Sequence, residues 1–152
     1  MKVDYRDNKL IVFFNKKYLI LDKLNIDREV RSLLLKISKT YNIDFDGCYN
    51  IEVFIDDNIG TVLSIVKDNL EYYDYDLVDI NVTLSNCDKF MFEYNDMFDM
   101  SFKCNYYLYN NKIYCLPIDY GFIDLGFVFE FSSIIYGSIL DDILRDGEEI
   151  IL

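Results

Sequence analysis

Few residues in this chain have the types and spacing to do chemistry. Its 152 residues include no histidine, which excludes the commonest general base, Ser-His and Cys-His nucleophile pairs and histidine metal sites. Ser64 and Lys67 have the SxxK spacing of a serine–lysine nucleophile. Both lie in a β-branched run that reads as a strand, where residues three apart point to opposite faces, so hydroxyl and amine would not meet. Asn42-x-Asp44-x-Asp46-Gly47 supplies oxygens at the first, third and fifth places of an EF-hand loop and the glycine at the sixth. The bidentate glutamate required at the twelfth place is Val53, and a strand follows instead of a helix. The segment reads as a helix ending at Asn42 in a left-handed cap and a chain turning at Gly47.

Cys48, Cys87, Cys104 and Cys115 stand 39, 17 and 11 residues apart without a CxxC unit. They read as reduced, mostly buried thiols, since no zinc set can be assembled from them. Carboxylates gather at Asp74, Asp76 and Asp79, and again at Asp141, Asp142, Asp146, Glu148 and Glu149. Brought together they would hold magnesium or act as acid and base, but charge runs are ordinarily solvated faces. The six glycines are scattered, with no phosphate-binding loop among them. No cofactor or metal is therefore expected.

The elements that must position these residues follow from periodicity. Val3 and Tyr5 answer Leu10, Val12 and Phe14 across the polar turn Arg6-Asp7-Asn8-Lys9, a β-hairpin. From Asp27 to Tyr41, Val30, Leu33, Leu34, Ile37 and Tyr41 recur at helical spacing, with acids in the first turn and Lys36 and Lys39 in the last, and the basic face outward. Ile51, Val53 and Ile55 alternate before the turn Asp57 to Gly60, and Thr61 to Lys67 returns as a second hairpin. Val78 to Leu84 alternates strictly and predicts a strand with one wet face. Phe90 to Tyr94 suggests another strand, followed by a turn or short helix over Asn95 to Ser101. Tyr106 to Tyr109 and Lys112 to Cys115 flank Asn110-Asn111, a two-residue hairpin link. A deeply buried helix is predicted from Asp124 to Tyr136, stopped by Gly137, then a helical turn at Leu140 to Leu144 and a last strand from Glu149 to Leu152.

Composition bounds the class. Apolar residues make up 52% and aromatics 17%, too much oily surface for a disordered chain even at a net charge of −12. Alanine, glutamine and tryptophan are absent as well, while asparagine, isoleucine and tyrosine abound, as expected when codons drift towards adenine and thymine. From Met1 to Lys39 ten basic side chains face five acidic ones, whereas the remainder carries five and 22. The acidic bulk argues against nucleic acid as a partner. Met1 to Asn8 has no apolar run of signal-peptide length, and no stretch approaches the roughly 18 apolar residues of a membrane span. The expectation is a cytoplasmic location without membrane contact.

The strands Tyr106 to Tyr109 and Lys112 to Cys115 about Asn110-Asn111, the apolar helix and the ending with Arg145-Asp146-Gly147-Glu148 resemble the C-terminal domain of the MecA adaptor family. The opening is similar too, Lys2 to Phe14, Asp27 to Tyr41 and Tyr49 to Asp68 matching its hairpin, helix and strand pair in order. The resemblance implies a non-catalytic adaptor whose first domain captures a substrate protein and whose second docks on a Clp-type unfolding ATPase. The chain is shorter than that pattern and has no long acidic linker, so no functional residue is carried over.

The sequence thus predicts an α+β protein of two small halves, 1–84 and 85–152, each an antiparallel sheet with one main helix packed on it, or both merged into one compact domain. The expected function is non-catalytic protein binding, with Asp141, Asp142, Glu148 and Glu149 as the binding acids and nearby tyrosines as anchors. The alternatives are an acidic immunity-type inhibitor or nucleic-acid mimic that neutralises a basic partner, and an enzyme using carboxylates alone.

Overall fold

A computed structural model describes residues 1–16, 19–68, 79–85, 89–94, 103–118 and 132–152. Among them the chain is mixed α+β, with two five-stranded sheets and two α-helices. It divides into two units, one of Met1–Val53 with Thr61–Ser85, the other of Phe54–Gly60 with Asn86–Leu152.

The first unit opens on β1 (Lys2–Arg6) and β2 (Lys9–Asn15), paired antiparallel with Val3 opposite Val12 and Tyr5 opposite Leu10. The turn is tighter than the expected four residues. Arg6 pairs with Lys9, leaving Asp7 and Asn8 at φ 48° and 62°, the left-handed geometry that matches the twist of a two-residue hairpin. A 3₁₀ turn, Lys23–Asn25, with the Asp22 carboxylate accepting the Leu24 N–H at 3.0 Å, leads into α1 (Ile26–Tyr41). Val30, Leu33, Leu34 and Ile37 of α1 are buried as their spacing predicts. The helix stops at Asn42, which adopts φ 54°. Gly47 at φ 87° then turns the chain into β3 (Cys48–Asp56), which precedes β4 (Gly60–Lys67).

β5 (Asp79–Ser85) covers the predicted strand Val78 to Leu84 apart from Val78, which lies outside the described residues. The strand order is β1-β2-β4-β3-β5. The Asp79 N–H donates to Gly47 O at 3.0 Å and the Asn81 side chain reaches Asn50 at 3.4 Å. These bonds set the N-terminal ends of β3 and β5 side by side, so the two strands run parallel. The first sheet is therefore mixed, against the expectation of a purely antiparallel one. A hairpin alone sets antiparallel pairing, and β5 is reached by a connection instead. Ile51, Val53 and Ile80 are buried, whereas Val82, expected in the core, is only half-buried.

The second sheet has the order β10-β7-β8-β6-β9, made of β6 (Met91–Glu93), β7 (Cys104–Tyr109), β8 (Lys112–Pro117), β9 (Ile134–Ile135) and β10 (Glu148–Ile150). The pairs β10–β7, β7–β8, β8–β6 and β6–β9 are all antiparallel. Asn110 and Asn111, at φ 49° and 61°, close the β7–β8 hairpin as their side chains allow.

The predicted helix from Asp124 to Tyr136 lies outside the described residues up to 131. Its last turn is corrected: Ile134 and Ile135 form β9, paired with Phe92 and Met91. Apolar run length cannot tell a short buried strand from a buried helix, and two β-branched residues favour the strand. Ile135 is half-buried, not buried as predicted. The turn expected at Leu140 to Leu144 is a nine-residue helix, α2 (Ser138–Asp146), entered through Gly137 at φ 63°. Leu140 and Ile143 of α2 join Met91 and Tyr114 in the core of this unit. The turn or short helix expected over Asn95 to Ser101 also lies outside the described residues. No helix among the described residues is long and apolar enough to cross a membrane.

Candidate functional site

The second unit places the four acids named from the sequence on two elements. Asp141 and Asp142 are in α2, and Glu148 and Glu149 are in β10. Helical neighbours point about 100° apart, and successive strand residues point to opposite faces, so sequence proximity does not gather the acids. Glu148 stands opposite Leu108 and Glu149 opposite Tyr107, whose ring packs on the core beside α2. Glu149 thus shares the α2 side of the sheet and Glu148 the other side.

Asp142 is held by Arg145. The guanidinium donates through Nη2 to Asp142 Oδ1 at 2.7 Å, and through Nε and Nη2 to the two oxygens of Asp146 at 3.1 and 2.8 Å. The fork on Asp146 pulls its carboxyl below its ordinary value, and the hydrogen bonds that the guanidinium donates to Asp146, then to Asp142, hold it charged well above its usual value. Sequence reading missed this clamp, although the Asp-x-x-Arg-Asp spacing announces it. The tyrosines expected as anchors are engaged as well: Tyr107 and Tyr109 pack against the core, and Tyr106 meets Tyr94 edge-on at 5.9 Å.

In the first unit the outer face of α1 presents the opposite charge. Arg28, Arg31, Leu35 and Lys39 recur at helical spacing along the face of α1 opposite the buried stripe, with Leu35 65% exposed, and Leu24, 94% exposed, lies in the 3₁₀ turn that precedes the helix. Arg28, Arg31, Lys36 and Lys39 form no ion pair with another described residue. The sequence showed the basic face. Its apolar members lay unremarked, because Leu35 adjoins the buried Leu34 and reads as part of that stripe.

The other sequence candidates separate. On β4, Ser64 is buried and Lys67 exposed, as a strand dictates. Lys67 instead donates to Asp46 Oδ1 at 2.8 Å and lies 5.9 Å from the centre of the Tyr49 ring. That bond lowers the Asp46 carboxyl and raises the Lys67 amine. Asp46, second of the two carboxylates of the EF-hand-like segment, is thereby committed to an ion pair. Asp74 and Asp76 lie outside the described residues, and Asp79 is exposed at the start of β5.

Cys115 is a buried free thiol whose Sγ donates to Phe92 O at 3.4 Å, while Cys48 and Cys104 are half-buried and Cys87 lies outside the described residues. The thiol–thiol hydrogen bond to Cys104, then burial, pushes the Cys115 thiol far up, which makes it a poor nucleophile. Among the described residues, no three histidine, cysteine or acidic side chains are grouped as metal ligands.

No protein-family model matches the chain, and no curated protein or solved structure matches it either.

Proposed function

We propose that the protein is a non-catalytic, cytoplasmic protein-binding module of the adaptor kind, with one helix serving each sheet and two binding faces of opposite sign. The observation that carries this reading is the outer face of α1, where the exposed Leu35 sits among three cations, Arg28, Arg31 and Lys39, that form no ion pair among the described residues, with the exposed Leu24 in the turn just before the helix. Apolar anchors ringed by charge are the anatomy of a protein interface. In this reading α1 takes an acidic protein surface, and the second unit takes a basic one through Asp141 and Glu149, with Asp142 restrained by Arg145 and Glu148 on the other side of the sheet. Two faces on separate units suit a protein that brings two others together. Element order similar to MecA adaptors supports presentation of one partner to a Clp-type ATPase. The acidic face alone favours a second reading, an immunity-type inhibitor or nucleic-acid mimic that occupies a basic partner.

Affinity capture with the purified chain tests this. Arg28→Glu with Lys39→Glu should lose one set of bound proteins, and Asp141→Lys with Glu149→Lys a different set. Loss of one and the same basic partner through the second pair only, with the α1 variants inert, would favour the neutraliser. Retention of every partner by both variants would refute both readings.

A further inference from the structure

Natural sheet edges are blunted by charge, proline, bulges or shortness, because an open row of N–H and C=O groups recruits another strand. Among the described residues the two sheets have four edge strands. β1 carries Lys2, Asp4 and Arg6, β10 carries Glu148 and Glu149, and β9 has two residues. β5 is seven residues long, without proline or glycine, and its one charge is Asp79 at the start. It is the edge left unguarded.

Its backbone direction is fixed by the Asp79 N–H, which donates inward to Gly47 O. Alternation then turns Asp79, Asn81 and Thr83 towards β3 and the amides and carbonyls of Ile80, Val82 and Leu84 outward. The apolar row of the same strand is progressively uncovered: Ile80 is buried, Val82 half-buried and Leu84 exposed. A strictly alternating strand whose apolar side is incompletely covered in one chain is suited to cover from a second.

We propose that β5 is a self-pairing edge, through which two copies of this chain associate antiparallel about a two-fold axis at Val82. The register is self-complementary. Val82 meets its own counterpart and Ile80 meets Leu84 on the apolar face, while Asn81 meets Thr83 and Asp79 meets Ser85 on the polar face. No like charges are opposed. The axis passes through an outward-pointing residue, so the two Val82 residues exchange both backbone hydrogen bonds, and the Ile80–Leu84 pairs on either side do the same. An isologous contact of this kind closes after two copies. A seven-residue ribbon covers less than the roughly 1,600 Å² of a standard stable interface, so the dimer forms with rising concentration.

Sedimentation equilibrium of the full chain over a concentration series should show a monomer–dimer equilibrium. Val82→Pro removes an outward N–H and no bond to β3, a place where an edge strand tolerates proline. It should weaken association at least about tenfold, the equivalent of roughly 1.4 kcal/mol. Asn81 and Thr83 are both exposed, so changing both to Asp, or both to Lys, tests the register even if the proline variant fails to fold. Each double variant alone should stay monomeric, and a mixture of the two should form mixed dimers. A chain that is monomeric at every concentration overturns the proposal and leaves the edge to a different strand. A dimer that survives in the charge variants overturns it too.

Discussion

The carboxylate of Asp56, at the tip of the β3–β4 hairpin, accepts the backbone N–H of Phe90 at 3.1 Å, 34 residues further along the chain. Its other oxygen accepts the N–H groups of Asn58 at 2.8 Å and Ile59 at 3.2 Å. The side chain is buried, and both residues belong to the second unit. Asn in place of Asp56 keeps one acceptor oxygen and turns an amide donor towards the Phe90 N–H. Asp56→Asn is therefore expected to cost about 1–3 kcal/mol, the penalty of a buried donor left without a partner. Urea denaturation measures it, and an unchanged midpoint would mean that this bond contributes nothing.

The same group gives the fold a pH dependence. Burial raises the Asp56 carboxyl above its ordinary 3.8, outweighing the three backbone donors that favour the charged form. A carboxyl raised on folding holds its proton more tightly in the native state. The native state then binds more protons than the unfolded chain between pH 3.8 and the raised value, and the contribution to stability falls as pH rises through that window. The difference in unfolding free energy between the parent chain and Asp56→Asn should grow on acidification through the same window. A difference that shrinks there would show that the hydrogen bonds outweigh burial.

β5 separates two apolar residues that look equivalent in the sequence. Ile80→Ala is expected to cost about 2–5 kcal/mol, as for a buried aliphatic, and Val82→Ala clearly less, because Val82 is half-buried. Denaturation of dilute protein, where chains are single, checks this. Equal losses would place Val82 in the core after all.

Gly147 closes α2, donating its N–H to Ile143 O at 2.9 Å. A Cβ there would collide with that same carbonyl oxygen. Since Gly147 has φ −75°, the constraint is steric and not conformational. Gly147→Ala should cost about 1–3 kcal/mol by overpacking, read as a lower melting temperature. An alanine variant as stable as its parent would show that the helix end moves aside freely.

Calcium should leave the melting temperature unchanged at millimolar concentration. Asn42 serves as a helix cap and Asp46 is paired with Lys67, and the twelfth place of the loop has no carboxylate. A rise of several degrees, abolished by Asp44→Ala, would contradict this.

Legibility followed the range of the interaction. α1 and the three hairpins could be read because helical spacing, the polar stretch Arg6 to Lys9 and the Asn110-Asn111 turn are local signals. β9 could not, since Ile134 and Ile135 become a strand only by pairing with Phe92 and Met91. Nor could Asp56: in sequence it only precedes the polar turn Asp57 to Gly60, and its bond to the Phe90 N–H spans 34 residues. Of the candidate site, charge sign was legible and charge placement was not. Glu148 and Glu149 are adjacent in the chain yet face opposite sides, and Asp142 is restrained by an arginine three residues on.

The hairpin tip Phe54–Gly60 belongs to a unit whose remainder begins at Asn86, and this sets an order of events during synthesis. The tip leaves the ribosome well before the Phe90 amide that Asp56 will accept, and before Tyr136, whose ring lies 4.7 Å from that of Phe54. Domains ordinarily fold as units as they emerge, but this one must wait with its first segment already made. Through that interval Phe54 and Ile59, both buried in the finished protein, lack the later segment of their own unit that completes their surroundings.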